Sequence, residues 1–180
     1  MRRWRPVFKE EGIMNRRDFL KMGTALAGGT VLGTEIAPAH TGDNAASAHE
    51  QLRLLREEGV SASAWIWVHA NSVKDSKALR AAAEQGAWLE FDGISPETTE
   101  RHLELVRMMK GWGRLGQTLL SHDGNSYRDG KLSKPYDALF RAFIPALRQA
   151  GFNKQEVRLL TVENPRRAFA VAPRLSGIGR

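Results

Sequence analysis

The sequence predicts an α/β fold of about four parallel strands, each followed by a helix. Two observations carry this. Four short apolar runs each end abruptly in a chemically active residue: Glu35–Ala39 at His40, Ala64–Val68 at His69, Gly86–Phe91 at Asp92, and the run Leu119-Leu120-Ser121-His122 at Asp123. A strand covered on both faces reads as continuous apolar residues, and in barrels and open α/β sheets the reactive groups sit where such strands end. The second observation is the period: the four runs recur every 23 to 31 residues with helical patterns between them. That spacing is the repeat of βα units, whose strands lie parallel.

The elements follow in order. After the polar turn His40–Asn44, Ala48, Leu52 and Leu55 fall at helical spacing within residues 45–58, and Gly59 is placed to end that helix. The strand leading to His69 is followed by a helix from Lys74 to Gln85, closed by Gly86. Beyond Asp92, Ser95-Pro96-Glu97 reads as an N-cap with proline in the first turn of a helix that buries Leu105, Val106 and Met109 and ends near Gly111. The polar loop from His122 to Pro135 has the length and character of a loop that shapes a site. Tyr136–Ala150 is amphipathic, with Leu139, Phe140, Phe143 and Leu147 as its stripe. Glu156–Leu160 follows, then Asn164 as the expected cap of Pro165–Phe169, and a frayed tail over 173–180.

The first 33 residues read as an address. Asn15-Arg16-Arg17-Asp18-Phe19-Leu20-Lys21 and the soft apolar run Met22–Gly33 resemble a bacterial twin-arginine signal, which implies export to the periplasm by that machinery. Met14 is a natural start, leaving residues 1–13 as an upstream extension, and Ala37-Pro38-Ala39 offers a cleavage site. The alternative is a basic amphipathic start to the domain. The apolar run is far short of the roughly twenty residues that span a bilayer, so no stable membrane span is expected.

Composition narrows the partners. With 180 residues and 42% hydrophobic content, one domain with a real core is expected. The net charge of +7 is concentrated at the start, where residues 1–21 hold seven Lys/Arg against three Asp/Glu. The rest carries no basic stripe with interleaved aromatics, so no nucleic-acid partner is expected. The absence of cysteine excludes disulfides and thiolate metal sites. Any metal must be held by histidine and carboxylate.

The phrases IAPAHTGD, EQLRLLREEGV, WIWVHA, GAWLEFDGI, LLSHD, FIPALRQAGF and LTVENPRRAF, in this order over residues 34–172, resemble the phosphotriesterase-like hydrolases of the amidohydrolase superfamily. The resemblance implies a partial (β/α) TIM-type barrel, the second half of eight βα units. It implies a metal-dependent hydrolase in which a metal-activated water attacks a phosphotriester, lactone or related ester. His40, His69 and Asp123 match the family's metal ligands, with Asp123 also taking a proton from the attacking water as its catalytic residue. Asp92 matches a pocket-lining position, as a substrate or proton-relay contact. The implied ion is zinc, with cobalt or manganese as alternatives. The family's first-strand His-x-His pair and metal-bridging lysine have no counterpart in residues 1–39, so one ion at most is expected. The alternative is a catalytically inactive half-barrel, a metal-binding remnant or a homodimer joined through open sheet edges.

Other residues receive plainer readings. His49 and His102 are expected to face solvent from helices, and Trp65, Trp67 and Trp88 to pack the barrel wall. Alternation turns His122 away from Asp123, leaving a supporting contact or a plain loop residue open. Glu90, a carboxylate within an apolar strand, has no reading from the sequence.

Overall fold

The four apolar runs pair side by side in chain order. In the computed structural model, β1 (Ala37–His40), β2 (Trp65–Val68), β3 (Trp88–Phe91) and β4 (Thr118–Leu120) form a parallel sheet in the order β1-β2-β3-β4. The structure describes residues 37–40, 44–124, 127–128, 130–132 and 136–170, with the backbone alone for 37–40, 127–128 and 131–132. The expected export signal, the start of the first strand and the tail lie outside the described residues. Ala37 pairs with Trp65, Ile66 with Trp88, and Leu89 with Thr118. Helices α1 (Ala45–Glu57), α2 (Ser76–Glu84) and α3 (Thr99–Gly111) fill the crossovers. After β4 come a small hairpin, β5 (Tyr127–Arg128) with β6 (Lys131–Leu132), and then α4 (Ile144–Gln149), α5 (Lys154–Arg158) and α6 (Asn164–Ala168).

Alternation along the strands divides the sheet into two faces with different cover. Trp65, Trp67, Leu89 and Phe91 point to one side and join Leu52, Leu79, Leu105, Phe143 and Leu147 in the main core. Trp65 and Trp67 stack there with ring centroids 5.8 Å apart. Leu105, Val106 and Met109 are fully buried, as the spacing predicts, and each such side chain stabilises by roughly 1.5–3 kcal/mol. On the other face Ile66, Trp88 and Leu119 meet Ala168 of α6, and the Arg167 guanidinium lies 5.4 Å from the Trp88 ring centroid. Helix α6 thus closes this inner face near the amino ends of the strands. All three tryptophans are packing residues, as expected.

Helix ends are set by short polar side chains. Asn44 accepts from Ala46 N and Ser47 N, Asp75 from Lys77 N and Ala78 N, and Asn153 forms a reciprocal capping box with Glu156. Such caps are typically worth about 1 kcal/mol. Three expectations are corrected. Helix α3 starts at Thr99 and not at Ser95-Pro96, because the Thr98 hydroxyl accepts Ser95 N–H at 2.9 Å and donates to Gly93 O at 2.9 Å, closing a turn ahead of the helix. Phe140 is 63% exposed, since Leu139, Phe143 and Leu147 repeat every four residues through the wide helical turn Leu139–Phe143 and leave it outside their stripe. Asn164 is no cap. It sits inside a continuous helical path, and its Nδ2 donates to Leu115 O at 2.9 Å and Thr118 O at 2.8 Å, pinning the start of β4.

Candidate functional site

The carboxyl ends of the strands carry the backbone outliers. His69 follows β2 with φ 61 and ψ 27, and Asp123 follows β4 with φ 46. A left-handed backbone at a residue with a side chain costs on the order of 1–3 kcal/mol and persists only where its surroundings hold it. Directly after His69 the chain makes a tight turn, Ala70–Ser72. The strain therefore lies where the side chains leave the sheet.

Among the described residues, one group brings donor atoms of metal-ligating type together: His69, Glu90 and Asp92, all within 4.8 Å of one another. Asp92 is 6% exposed, and its Oδ2 touches His69 Nδ1. That oxygen is buried and faces the imidazole. Glu90 stands level with Leu119 on the inner face of β3. Its Oε2 accepts the His69 backbone N–H at 3.3 Å, its Oε1 accepts the Ser121 hydroxyl, and the Asp92 carboxylate stands beside it. Burial first, and then the neighbouring Asp92, push the Glu90 carboxyl up to about 7. One imidazole and two carboxylates form a donor set that a divalent cation accepts.

The main chain of Asp92 is held as tightly as its side chain. Asn71 donates from Nδ2 to Asp92 O and accepts Asp92 N–H at Oδ1, both at 3.1 Å. Its amide replaces the strand neighbour that β2 ceases to provide once the chain turns at His69. On the other side Ser121 N–H donates to Phe91 O at 3.1 Å. From below, His102 Nε2 lies 2.7 Å from Asp92 O and its Nδ1 lies 2.9 Å from Thr98 O. His102 is 2% exposed, which corrects the expectation that it faces solvent. Its imidazole finds two carbonyls in the gap between α3 and the end of β3. His49 is exposed, as expected.

The other expected site residues lie around this group. His40 ends β1 opposite Val68, and its side chain lies outside the described residues. Asp123 follows β4 by three residues, is partly exposed, and does not belong to the three-residue group. His122 turns the other way: its Nε2 accepts Leu139 N–H at 2.9 Å, and burial pushes the imidazole pKa down against the opposing charge of Asp137. Gly124 lies under Tyr136, where a Cβ would come 2.9 Å from the ring, so a larger residue there would push the exposed Tyr136 ring aside. Glu90, Asn71 and Ser121 were not readable as site residues, although a carboxylate on an apolar strand was the one signal available.

Parallel βα units whose strand ends gather imidazole and carboxylate define the class of (β/α)-barrel proteins with their site at the carboxyl face. The chain belongs to the phosphotriesterase family, whose model matches residues 12–169. It is 30% identical over 125 residues to the phosphotriesterase homology protein of Escherichia coli strain K12, covering 67% of this chain and 43% of the relative. The crystal structure of the E. coli phosphotriesterase homology protein, complexed with phosphate in its active site, superimposes with a TM-score of 0.63 at 25% identity, covering 83% of this chain and 49% of that one. A lactonase from Listeria monocytogenes gives 0.68 at 19% identity, covering 88% and 48%, and shows the fold alone. The chain thus spans less than half the length of these relatives, and its fold is part of their barrel.

Proposed function

We propose that this chain supplies the carboxyl-end site of a metal-dependent hydrolase acting on phosphotriesters, lactones or related small-molecule esters. The observation that carries this reading is the His69–Asp92 pair at the rim of the parallel sheet in a chain of this family. Histidines that ligate a metal commonly donate their other ring N–H to a carboxylate, which fixes the tautomer and raises ligand basicity. With the proton placed on Nδ1 toward Asp92, the lone pair lies on Nε2. The resemblance assigns His40 and Asp123 as its partners, at the ends of β1 and β4. A divalent cation there, zinc first and cobalt or manganese next, would polarise the ester and acidify water. Beside such an ion Asp123 would accept a proton from water, and Asp92, buried behind His69, would orient the imidazole and be placed to relay a proton.

Cobalt or zinc titration of the full chain, followed by assay on an aryl phosphotriester and a lactone, tests the reading. About one bound ion and metal-dependent turnover are expected. Asp123→Asn is expected to lower turnover on the order of a hundredfold or more, and Asp92→Asn to weaken metal affinity by about 10–100-fold. Metal bound without turnover of either ester class overturns the hydrolase reading.

A further inference from the structure

We propose that Glu90 is a positioning residue, whose carboxyl group holds the left-handed turn that aims the His69 ring at Asp92. Nothing in the strand ladder does this. The β2–β3 pairing runs through Trp67 and Leu89, and β2 ends at Val68. The next residue takes φ 61, a conformation that an imidazole-bearing residue adopts only against a cost. Its N–H points to Glu90 Oε2, while the other Glu90 oxygen takes the Ser121 hydroxyl from the far side. One carboxyl thus links the exits of β2 and β4 through the middle strand. Asn71 supplies the second latch, its amide gripping both sides of the Asp92 peptide. The imidazole and the Asp92 carboxylate are consequently brought together by main-chain restraints on both residues. An apolar residue at position 90 would suit the strand better and would leave the His69 N–H and the Ser121 hydroxyl without this acceptor.

The proposal rests on His69 belonging to the site, and its test reads the ring directly, without catalysis or metal. In the metal-free full chain, long-range 1H–15N spectra of the histidine rings, with His69 assigned through His69→Ala, are expected to show a fixed Nδ1–H tautomer with a slowly exchanging, downfield proton. Glu90→Leu removes both acceptors and is expected to give His69 averaged ring-nitrogen shifts and loss of that proton, with the near-UV spectrum of the buried tryptophans kept. Glu90→Gln still offers an oxygen to the His69 N–H and an amide to Ser121, and is expected to restore the wild-type ring signals. Ser121→Ala, which removes one of the two Glu90 contacts and keeps the His69 contact, is expected to fall between the two. Wild-type ring shifts in Glu90→Leu overturn the proposal, and so does a Glu90→Gln spectrum that matches Glu90→Leu. Zinc competition measured beside it separates this idea from the enzyme reading. At least tenfold weaker binding in Glu90→Leu, and within threefold of wild type in Glu90→Gln, supports it. A wild-type chain that binds no zinc removes the hydrolase reading while the ring spectra still decide the role of Glu90.

Discussion

At the scale of single residues the site is built from groups placed where they cost stability. Glu90 is the clearest case. In an unfolded chain its carboxyl titrates near 4.5, whereas in the folded protein burial and Asp92 push it up to about 7, against the hydrogen bonds from Ser121 and His69. The folded state therefore binds this proton more tightly. The stability linked to it is full below about pH 4.5 and is lost as pH rises through about 7, with a limiting slope of roughly 1.4 kcal/mol per pH unit. Urea unfolding of the metal-free protein at pH 5 and pH 8 is expected to show Glu90→Gln free of about 1–3 kcal/mol of the wild-type decline. An identical decline in both proteins would refute the assignment. The sequence marked His69, Asp92 and Asp123 by their place after apolar runs, and the structure puts all three at strand exits. It gave no sign that Asn71 or Ser121 would support them, because their partners are backbone groups and a carboxylate 21 to 31 residues away. Such partners leave no local pattern. His102 misled for a related reason: a histidine on a helix reads as polar, and only the gap under β3 makes it buried.

At the scale of elements the strands and helices were legible, because parallel strands must be apolar on both faces and their helices must show a buried stripe. Boundaries were less so. The run read from Ala64 pairs only from Trp65, because Ala64 closes the short turn Ala62–Ala64, which no periodicity distinguishes from strand. Asn164-Pro165 looks like a cap followed by a first-turn proline, yet the asparagine works across the molecule. Its two donor bonds hold the carbonyls of Leu115 and Thr118, buried at the entry to β4. Asn164→Ala removes both donor bonds, leaving Leu115 O with the Thr118 N–H, and is expected to destabilise by about 1–3 kcal/mol in chemical denaturation. Asn164→Asp loses the same donors and adds a buried charge, so it is expected to be at least as damaging. A loss below about 0.5 kcal/mol for both would show that β4 is held by its ladder alone.

At the scale of the whole molecule, the question is what four βα units do with a sheet that two edge strands bound. The main core is continuous from Ala48 in α1 to Leu160 near the carboxyl end, so the described elements share one apolar interior. That continuity predicts cooperative folding, since no group of helices can leave without exposing Trp65, Trp67 and Phe91. Among the described residues the inner face is covered by Ala168 and Arg167 over Ile66, Trp88 and Leu119. At the carboxyl rim His69 and Glu90 stay partly open, and among the described residues β4 pairs with β3 alone. A strand with unpaired N–H and C=O groups on one side is a template for another chain. The 180-residue chain expressed alone is therefore expected to unfold in a single step seen equally by far-UV and tryptophan near-UV signals, and to associate reversibly with rising concentration. Light scattering across a hundredfold dilution measures the association. A monomer at every concentration would mean that β1 and β4 are covered by other parts of the chain, and a far-UV signal outlasting the near-UV signal would mean that the core does not pack as one unit.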